Sequence, residues 1–294
     1  MNNKDISVFS VANNKYIQPL AVMLYSLVEN SSVERINIYI IDSNLTEENK
    51  KKLNKTFEKL LHVKINYLIV DDNDFLEFPI SRHITKEAYY RLVIPELLKN
   101  HEIDKIIYLD CDLLVLKDLN ELISIDLENN ALGAVRDLGG YDRYIELGML
   151  NPKQYFNSGV MVLNLKYWRE NLITEKVIEY IRNNKEKLTY HDQDALNAVL
   201  HNSSKLVDIK WNVQSSMFTR NIPDDLSTNI KEALSSPGII HFTGYYKPWL
   251  LESNHPYKKF YYEYLSKTAW KGYKPKITLL GFLKKIKAFI KNNK

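Results

Sequence analysis

The chain has 294 residues, of which 45% are hydrophobic and 26% charged, a composition typical of a globular protein with a sizeable core. It contains no run of about twenty apolar residues. Its start lacks the basic-then-apolar pattern of an export signal, so we expect the protein to stay in the cytoplasm. The single cysteine, Cys111, excludes an internal disulfide and suits that reducing compartment.

The net charge of +4 is unevenly distributed along the chain. Residues 264–294 contain nine lysines and no acidic residue, so the rest of the chain carries a net charge of −5. A basic segment of this kind indicates an anionic surface as partner. We expect no nucleic-acid partner, because no recognisable nucleic-acid-binding motif accompanies the charge.

Hydrophobic patterning predicts alternating strands and helices in the first third of the chain and a mixture of both later. The predicted strands are 6–12, 36–42, 63–70, 105–110, 131–137 and 159–165. The predicted helices are 16–30, one capped by Thr46, 86–98, 168–183 and 192–200. This order predicts an α/β fold with a Rossmann-like, mostly parallel sheet, helices on both faces, and ligands beyond the carboxyl ends of the strands.

The turn after the first strand disfavours one common α/β class. It reads Ala12-Asn13-Asn14-Lys15 and contains no G-x-G-x-x-G sequence. A dinucleotide-binding fold of the dehydrogenase kind is therefore disfavoured.

Asp110-Cys111-Asp112 follows a predicted buried strand. In an extended segment the side chains at positions i and i+2 point the same way, so both carboxylates can converge on one cation while Cys111 points into the fold. Oxygen ligands suit Mg²⁺ or Mn²⁺, and the cation offsets the repulsion between the two anions. The alternative is a pair of solvated aspartates at a strand end.

A second candidate segment follows the apolar run that ends at Ile240. A neutral His241 ring can complete a metal site and favours Mn²⁺ over Mg²⁺. Gly244 allows backbone to approach a phosphate closely, and Lys247 supplies a cation to it. A structural role for a lone histidine is the alternative.

Four motifs, taken together and in order, resemble glycosyltransferase family 8, which includes bacterial lipopolysaccharide galactosyltransferases and glycogenin. They are D-x-D, F-N-S-G-V at 156–160, H-D-Q-D at 191–194 and H-x-x-G-x-x-K-P-W at 241–249. The resemblance runs from about residue 6 to about residue 250. It implies a GT-A fold, Mn²⁺ with Mg²⁺ as the alternative, and a UDP-sugar donor, either UDP-galactose or UDP-glucose. It also implies retaining transfer to a glycan, in the synthesis of cell-surface polysaccharide, lipopolysaccharide or glycoprotein glycans.

The resemblance also implies roles for individual residues. The implied metal ligands are Asp110, Asp112 and His241, and the implied catalytic residues are Gln193, Asp192 and Asp137. Besides the metal ligands, the implied nucleotide-sugar contacts are Ala12, Asn13, Lys15, Tyr16, Arg91, Cys111, Asn157, Ser158, Asp192, Gln193, Gly244 and Lys247.

Several of these assignments have simpler alternatives. Arg91 could pair with a helix carboxylate, Asn157 could satisfy a turn, and Asp192 could cap a helix. The first loop also departs from the family, which usually has an acidic residue near the uracil where this chain has Asn13 and Asn14.

The residues leave two retaining mechanisms open. Asp192 could act as a carboxylate nucleophile, as in retaining glycosidases. The resemblance implies same-face attack, with Gln193 stabilising the developing positive charge. The rival functions are a D-x-D phosphohydrolase of the haloacid dehalogenase kind and a nucleotide-sugar-binding module without turnover.

We expect a GT-A catalytic domain over 1–262 and a basic amphipathic tail over 263–294. In a helix, the tail would align an apolar stripe beside its lysines, made of Leu279, Phe282, Leu283, Ile286, Phe289 and Ile290. Such a helix predicts peripheral attachment to the inner face of the cell membrane, which suits a glycan acceptor on a lipid, with an acceptor on protein as the alternative. Packing of the stripe on the catalytic domain is the other alternative.

Overall fold

The computed structural model describes residues 4–70, 78, 86–218, 226–245, 247–275 and 281–283. Its strands are β1 Asp5–Ala12, β2 Arg35–Asp42, β3 Val63–Leu68, β4 Lys105–Leu109, β5 Leu113–Val115, β6 Leu132–Arg136, β7 Phe156–Asn164, β8 Ser204–Leu206, β9 Val213–Gln214 and β10 Ile239–His241. Its α-helices are α1 Ile17–Glu29, α2 Glu47–Phe57, α3 Ile94–Leu97, α4 Asn120–Ile123, α5 Leu165–Glu170, α6 Ile173–Asn183, α7 Asp192–Leu200, α8 Ser227–Ser235 and α9 Lys258–Leu265.

Seven strands form one sheet in the order β3-β2-β1-β4-β7-β6-β8. All neighbours pair in parallel except β7, which runs antiparallel to both β4 and β6. The predicted mostly parallel α/β sheet is therefore confirmed. Because β7 is reversed, its first residues lie at the same edge as the carboxyl ends of β1, β4 and β6.

A second sheet of three short strands has the order β5-β10-β9. β10 pairs antiparallel to β5 and parallel to β9. The pairing of His241 with Leu113 brings the end of β10 beside the segment that leaves β4.

Both faces of the large sheet are covered by a hydrophobic core. Successive side chains of a strand point to opposite faces, so one strand can contribute to both cores. In β1, Ile6 and Val8 pack into a core that contains α1, whereas Phe9 and Val11 pack into the core on the other face. These strands are apolar on both sides because neither face meets water.

Two predicted helices are interrupted in the structure. The segment predicted as one helix over 86–98 is a 3₁₀ helix, Lys86–Val93, followed by α3. Pro95 lacks an N–H and clashes with the carbonyl four residues earlier, so a continuous α-helix cannot pass through it. The helix predicted over 168–183 is divided into α5 and α6, because Leu172 adopts a left-handed conformation with φ of 51°.

The predicted C-terminal amphipathic helix lies outside the described residues except for 281–283. The predicted boundary between residues 262 and 263 falls inside α9, and Leu265 and Trp270 are buried. No described helix is both long and apolar enough to cross a membrane.

Leu24→Ala is expected to lower the free energy of unfolding by about 2–5 kcal/mol, because it removes a fully buried side chain from α1 and leaves a cavity. Leu61→Ala is the matched control, since Leu61 is 97% exposed, and its effect should stay within about 0.5 kcal/mol. Urea denaturation followed by circular dichroism measures both. Equal losses would contradict this assignment of the core.

Candidate metal and donor site

The candidate site lies at the edge where β4 ends and β7 begins. Asp110 follows β4, and its N–H donates to the carbonyl of Gly159 at 2.8 Å. Asn157 and Ser158 precede Gly159 in β7 and are buried. The reversed direction of β7 therefore brings two of the predicted motifs, D-x-D and F-N-S-G-V, into contact.

The D-x-D segment differs from the predicted geometry. Cys111 and Asp112 form a turn between β4 and β5 instead of continuing the strand. The carbonyl of Asp112 accepts from the N–H of Phe242 at 3.0 Å, which joins this turn to the end of β10. Cys111 packs against the core, as predicted, and burial raises the pKa of its thiol well above its usual value.

Three ligand atoms converge at this turn. His241 Nε2 lies 3.4 Å from Asp112 Oδ1 and 3.9 Å from Asp110 Oδ2. One ligand atom from each of the three residues lies within 4.8 Å of the others. The predicted ligands are therefore brought together, whereas their binding of a metal stays a prediction.

Gly159 allows His241 and Asp110 to approach the backbone of β7 closely. A Cβ at this position would lie 2.3 Å from His241 Cε1 and 2.7 Å from Asp110 Oδ2. Such distances are far below van der Waals contact, so any other residue would displace the ring or the carboxylate. The glycine of F-N-S-G-V is thus required by the candidate metal site.

A series of side-chain amides fixes the tautomer of His241. The N–H of Gly159 can only donate, and it donates to Asn157 Oδ1 at 3.0 Å; Asn212 Nδ2 donates to the same oxygen at 2.8 Å. Asn212 therefore turns its own oxygen to His241 Nδ1, 3.0 Å away, and that nitrogen carries the proton. In a neutral ring, Nε2 is then an acceptor that faces two carboxylates, an arrangement that a cation stabilises.

Arg91 is the buried cation beside Asp110. Its Nη2 donates to Asp110 Oδ1 at 3.0 Å, and its guanidinium lies 4.4 Å from the ring centre of Tyr108. Tyr108 also donates to Asp110 Oδ1, at 2.7 Å. Burial alone would lower the pKa of Arg91, but the carboxylates of Asp110 and Asp192 outweigh it, so the pKa is raised. Arg91 thus pairs with carboxylates outside its own helix.

Lys247 is the cation that contacts Asp112. Its Nζ donates to Asp112 Oδ2 and, at 2.6 Å, to the carbonyl of Phe242. Burial alone would raise the pKa of Asp112, but Lys247 and His241 outweigh it and hold that pKa well below its usual value. Contact of Lys247 with a diphosphate stays a prediction.

Asp192 is buried at the first position of α7, opposite Arg91. Its Oδ2 lies 3.2 Å from Arg91 Nε and forms an ion pair with it. Among the described residues, no group donates a hydrogen bond to this oxygen. Burial raises the pKa of Asp192 to about 6, although Arg91 acts in the opposite direction. His191, which precedes it, has a strained positive φ of 47°.

The other end of the site consists mainly of neutral amides. Gln193 Oε1 accepts from the N–H of Ser158 at 3.1 Å and from Asn157 Nδ2 at 3.2 Å. Asp137 Oδ2 accepts from Asn157 Nδ2 at 2.9 Å and from Gln193 Nε2 at 3.1 Å. Four residues predicted to surround the donor sugar are thus joined in one network, and their roles stay predictions.

An acidic side chain from the 3₁₀ helix Lys86–Val93 lies beside Asn13 of the first loop. Ala12 ends β1, and Asn13 Nδ2 donates to Glu87 Oε1 at 3.1 Å. Lys15 is exposed, and Tyr16 is half-buried. Glu87 therefore supplies a carboxylate beside this loop, although the loop itself has none.

Gly244 and three residues that the sequence analysis missed complete the description. Gly244 has a φ of +78°, and a Cβ there would meet nothing within 4 Å. Asn212 and Glu87 were missed because each acts through a contact 29 or 74 residues away along the chain. The close approach of His241 and Asp110 to Gly159 depends on the pairing of β7 with β4, although the F-N-S-G-V motif could have drawn attention to it.

The sequence profile of glycosyl transferase family 8 matches residues 7–253. The chain belongs to glycosyltransferase family 8. It is therefore a glycosyltransferase, and membership implies a nucleotide-sugar donor and a glycan acceptor.

Three comparisons show how far the similarity extends. General stress protein A of Bacillus subtilis (strain 168) is 38% identical over 269 residues, which cover 90% of this chain and 94% of that protein. Lipopolysaccharide 1,2-glucosyltransferase of Escherichia coli (strain K12) is 26% identical over 265 residues, which cover 89% and 78%. The crystal structure of the galactosyltransferase LgtC with donor and acceptor sugar analogues superposes with a TM-score of 0.81 at 25% identity, covering 95% of this chain and 100% of that one. The predicted GT-A fold is confirmed.

Gly159→Ala is expected to abolish the rise in melting temperature that Mn²⁺ and UDP together produce, because the added methyl group would collide with His241 and Asp110 and displace both ligands. Gly133→Ala is the control, since its Cβ would meet the side chains of Leu127 and Val207 at 3.0 and 3.1 Å and the Lys205 carbonyl at 3.8 Å, none of which is a candidate ligand. Thermal denaturation with and without the two ligands measures the effect. An undiminished rise in Gly159→Ala would contradict the site.

Proposed function

We propose that the chain is a retaining hexosyltransferase that moves galactose or glucose from a UDP-sugar to a glycan acceptor, with Mn²⁺, or Mg²⁺ as the alternative, held by Asp110, Asp112 and His241. The acceptor would belong to a cell-surface polysaccharide, a lipopolysaccharide or a glycoprotein glycan. Similarity to a lipopolysaccharide glucosyltransferase and to a galactosyltransferase supports the choice of hexoses.

The observation that carries the proposal is the convergence of three acceptor atoms at the end of β4. Two carboxylates and a bare imidazole nitrogen repel one another, and Arg91 and Lys247 offset that repulsion only from outside the group, so a cation between the three would stabilise it further. The donor set suits Mn²⁺, and Gly159 lets His241 and Asp110 take their positions without a clash. The residues present therefore fit the metal that the family implies.

A bound divalent cation would neutralise charge on the departing diphosphate. The chain's own residues would do the rest. Lys247 supplies a second positive charge beside Asp112, and Gly244 lets backbone approach the phosphates without a side chain in the way. Arg91 holds Asp110 and Ser158 in place, with Nη1 donating to the carbonyl of Ser158 at 2.7 Å.

We favour same-face attack over a covalent intermediate on Asp192. The Asp192 side chain is only 5% exposed and pairs with Arg91, which restricts its access to an anomeric carbon. Gln193 instead offers a neutral carbonyl oxygen on the side of Asn157 and Ser158. Such an oxygen can stabilise positive charge on the sugar without forming a stable bond to it.

Membership of a glycosyltransferase family disfavours the phosphohydrolase alternative. Slow UDP-sugar hydrolysis in the presence of Mn²⁺ would identify an enzyme, whereas a nucleotide-sugar-binding module would bind the donor without hydrolysing it. Release of the free sugar with UDP identifies a transferase, whereas release of inorganic phosphate identifies a phosphatase.

Asp112→Asn is expected to abolish Mn²⁺-dependent UDP binding and to lower sugar release from UDP-glucose or UDP-galactose by at least about 100-fold, because one anionic ligand is lost. Asp104→Asn is the matched control, since Asp104 is exposed at the opposite end of β4. Calorimetric titration and sugar-release assays measure the two effects. Near-normal turnover in Asp112→Asn would rule out the metal assignment.

We also propose that the chain is cytoplasmic and peripheral on the inner face of the cell membrane. The lysine-rich segment 264–294 supports attraction to anionic lipid, at about 1 kcal/mol per lysine near the surface. Phe282 and Leu283, two residues of the predicted apolar stripe, are 49% and 54% exposed. Those two side chains are thus available to enter the interface.

A variant that ends at Tyr273 is expected to lose sedimentation with phosphatidylglycerol vesicles, because seven of the nine lysines and the whole apolar stripe are removed. Its hydrolysis of UDP-sugar should persist, since every proposed site residue is retained. Phosphatidylcholine vesicles serve as the uncharged control. Unchanged sedimentation with the anionic vesicles would reject membrane attachment through this segment.

A further inference from the structure

Asp194 is a fully buried carboxylate behind the candidate sugar site. Its Oδ2 accepts from the N–H groups of Thr189 and Tyr190 at 2.7 and 2.8 Å and from Arg143 at 3.4 Å. Its Oδ1 accepts from the Tyr155 hydroxyl at 2.6 Å. Since all four partners donate, Asp194 acts only as an acceptor.

The contact with Asp194 fixes the hydroxyl of Tyr155. A phenol has a single proton, and here it points at Asp194. The Tyr155 oxygen can then only accept, and it accepts from Gln193 Nε2 at 3.1 Å. Burial, followed by the charge of Asp194, raises the pKa of Tyr155, so the hydroxyl remains protonated at neutral pH.

The orientation of the Gln193 amide follows from these contacts. Its Nε2 has two protons, which are directed at Tyr155 Oη and Asp137 Oδ2, both at 3.1 Å. Its Oε1 faces two donors, the N–H of Ser158 and the side-chain amide of Asn157. If the amide were flipped, its oxygen would face the oxygens of Tyr155 and Asp137, and its NH₂ group would face the N–H groups of Ser158 and Asn157.

We propose that Tyr155, with its hydroxyl proton committed to Asp194, is a positioning residue that keeps the carbonyl oxygen of Gln193, and not its NH₂ group, turned towards the donor sugar. This inference rests on the proposed function, which assigns the side of Asn157 and Ser158 to the sugar. The sequence analysis gave neither Tyr155 nor Asp194 a role.

Loss of the Tyr155 hydroxyl would remove one of the two acceptors that orient Gln193 Nε2. Loss of one hydrogen bond of this kind changes the balance between two orientations by up to about tenfold. The flipped amide would direct a positive dipole end at a carbon that is becoming positive. The turnover rate should therefore fall, while the affinity for the donor, which depends mainly on the diphosphate, should not.

The experiment compares Tyr155→Phe with Tyr261→Phe in the full chain. Tyr261 is the matched control because it is equally buried and its hydroxyl also accepts from a glutamine, with Gln18 Nε2 at 2.6 Å. The measured quantities are kcat and KM for hydrolysis of UDP-glucose and UDP-galactose with Mn²⁺. We expect kcat to fall by more than about twofold and by up to about tenfold at unchanged KM for Tyr155→Phe, and kcat to be unchanged for Tyr261→Phe.

A double-mutant cycle separates positioning from a general structural effect. In the Gln193→Ala background there is no amide to orient, so adding Tyr155→Phe should leave kcat unchanged. An equal fall in both backgrounds, or a kcat for Tyr155→Phe within about twofold of the unmodified chain, would overturn the inference. Failure of the unmodified chain to hydrolyse either UDP-hexose would instead count against the proposed function.

Discussion

The backbone N–H of Gly159 determines the polarity of the whole site. It can only donate, so Asn157 must turn its oxygen towards it. On one side, the Asn157 oxygen accepts from the NH₂ group of Asn212, which turns the Asn212 oxygen towards His241 Nδ1. His241 Nε2 is then left without a proton beside two carboxylates. On the other side, the NH₂ group of Asn157 faces Asp137 and Gln193. The candidate metal end and the candidate sugar end are therefore oriented by a single peptide group.

The reversed direction of β7 is what brings that peptide group to the end of β4. In an all-parallel sheet the first residues of β7 would lie at the opposite edge, far from Asp110. Antiparallel pairing of Leu109 with Val160 instead puts Gly159 beside Asp110, where only a residue without a side chain fits. Sheet topology and candidate metal geometry thus impose the same requirement on one position of the chain.

The alternation of strand-like and helix-like segments in the sequence was sufficient to predict the fold class, because the central strands of the large sheet are mostly buried apolar runs. The sequence predicted the local backbone geometry less well. Pro95 and Leu172 interrupt predicted helices, and Asp112 lies in a turn where an extended segment was expected. The residues that orient the site, Asn212 and Tyr155, were missed because their partners lie 29 and 39 residues away along the chain. Periodicity reports which face of an element is buried, but it carries no information on such pairings.

Charged side chains lie at one end of the site, and neutral amides predominate at the other. Arg91 and Lys247 stand beside the D-x-D carboxylates, where the departing diphosphate of the proposed reaction would carry its charge. At the other end, Asp137 accepts from four N–H groups, those of Gly139 and Gly140 on one oxygen and the amides of Asn157 and Gln193 on the other. A carboxylate engaged in this way is a poor nucleophile, since its lone pairs are already directed at donors. Asp137 is therefore suited to orienting the neutral amides, and in the proposed mechanism the oxygen of Gln193, held by Ser158 and Asn157, faces the sugar.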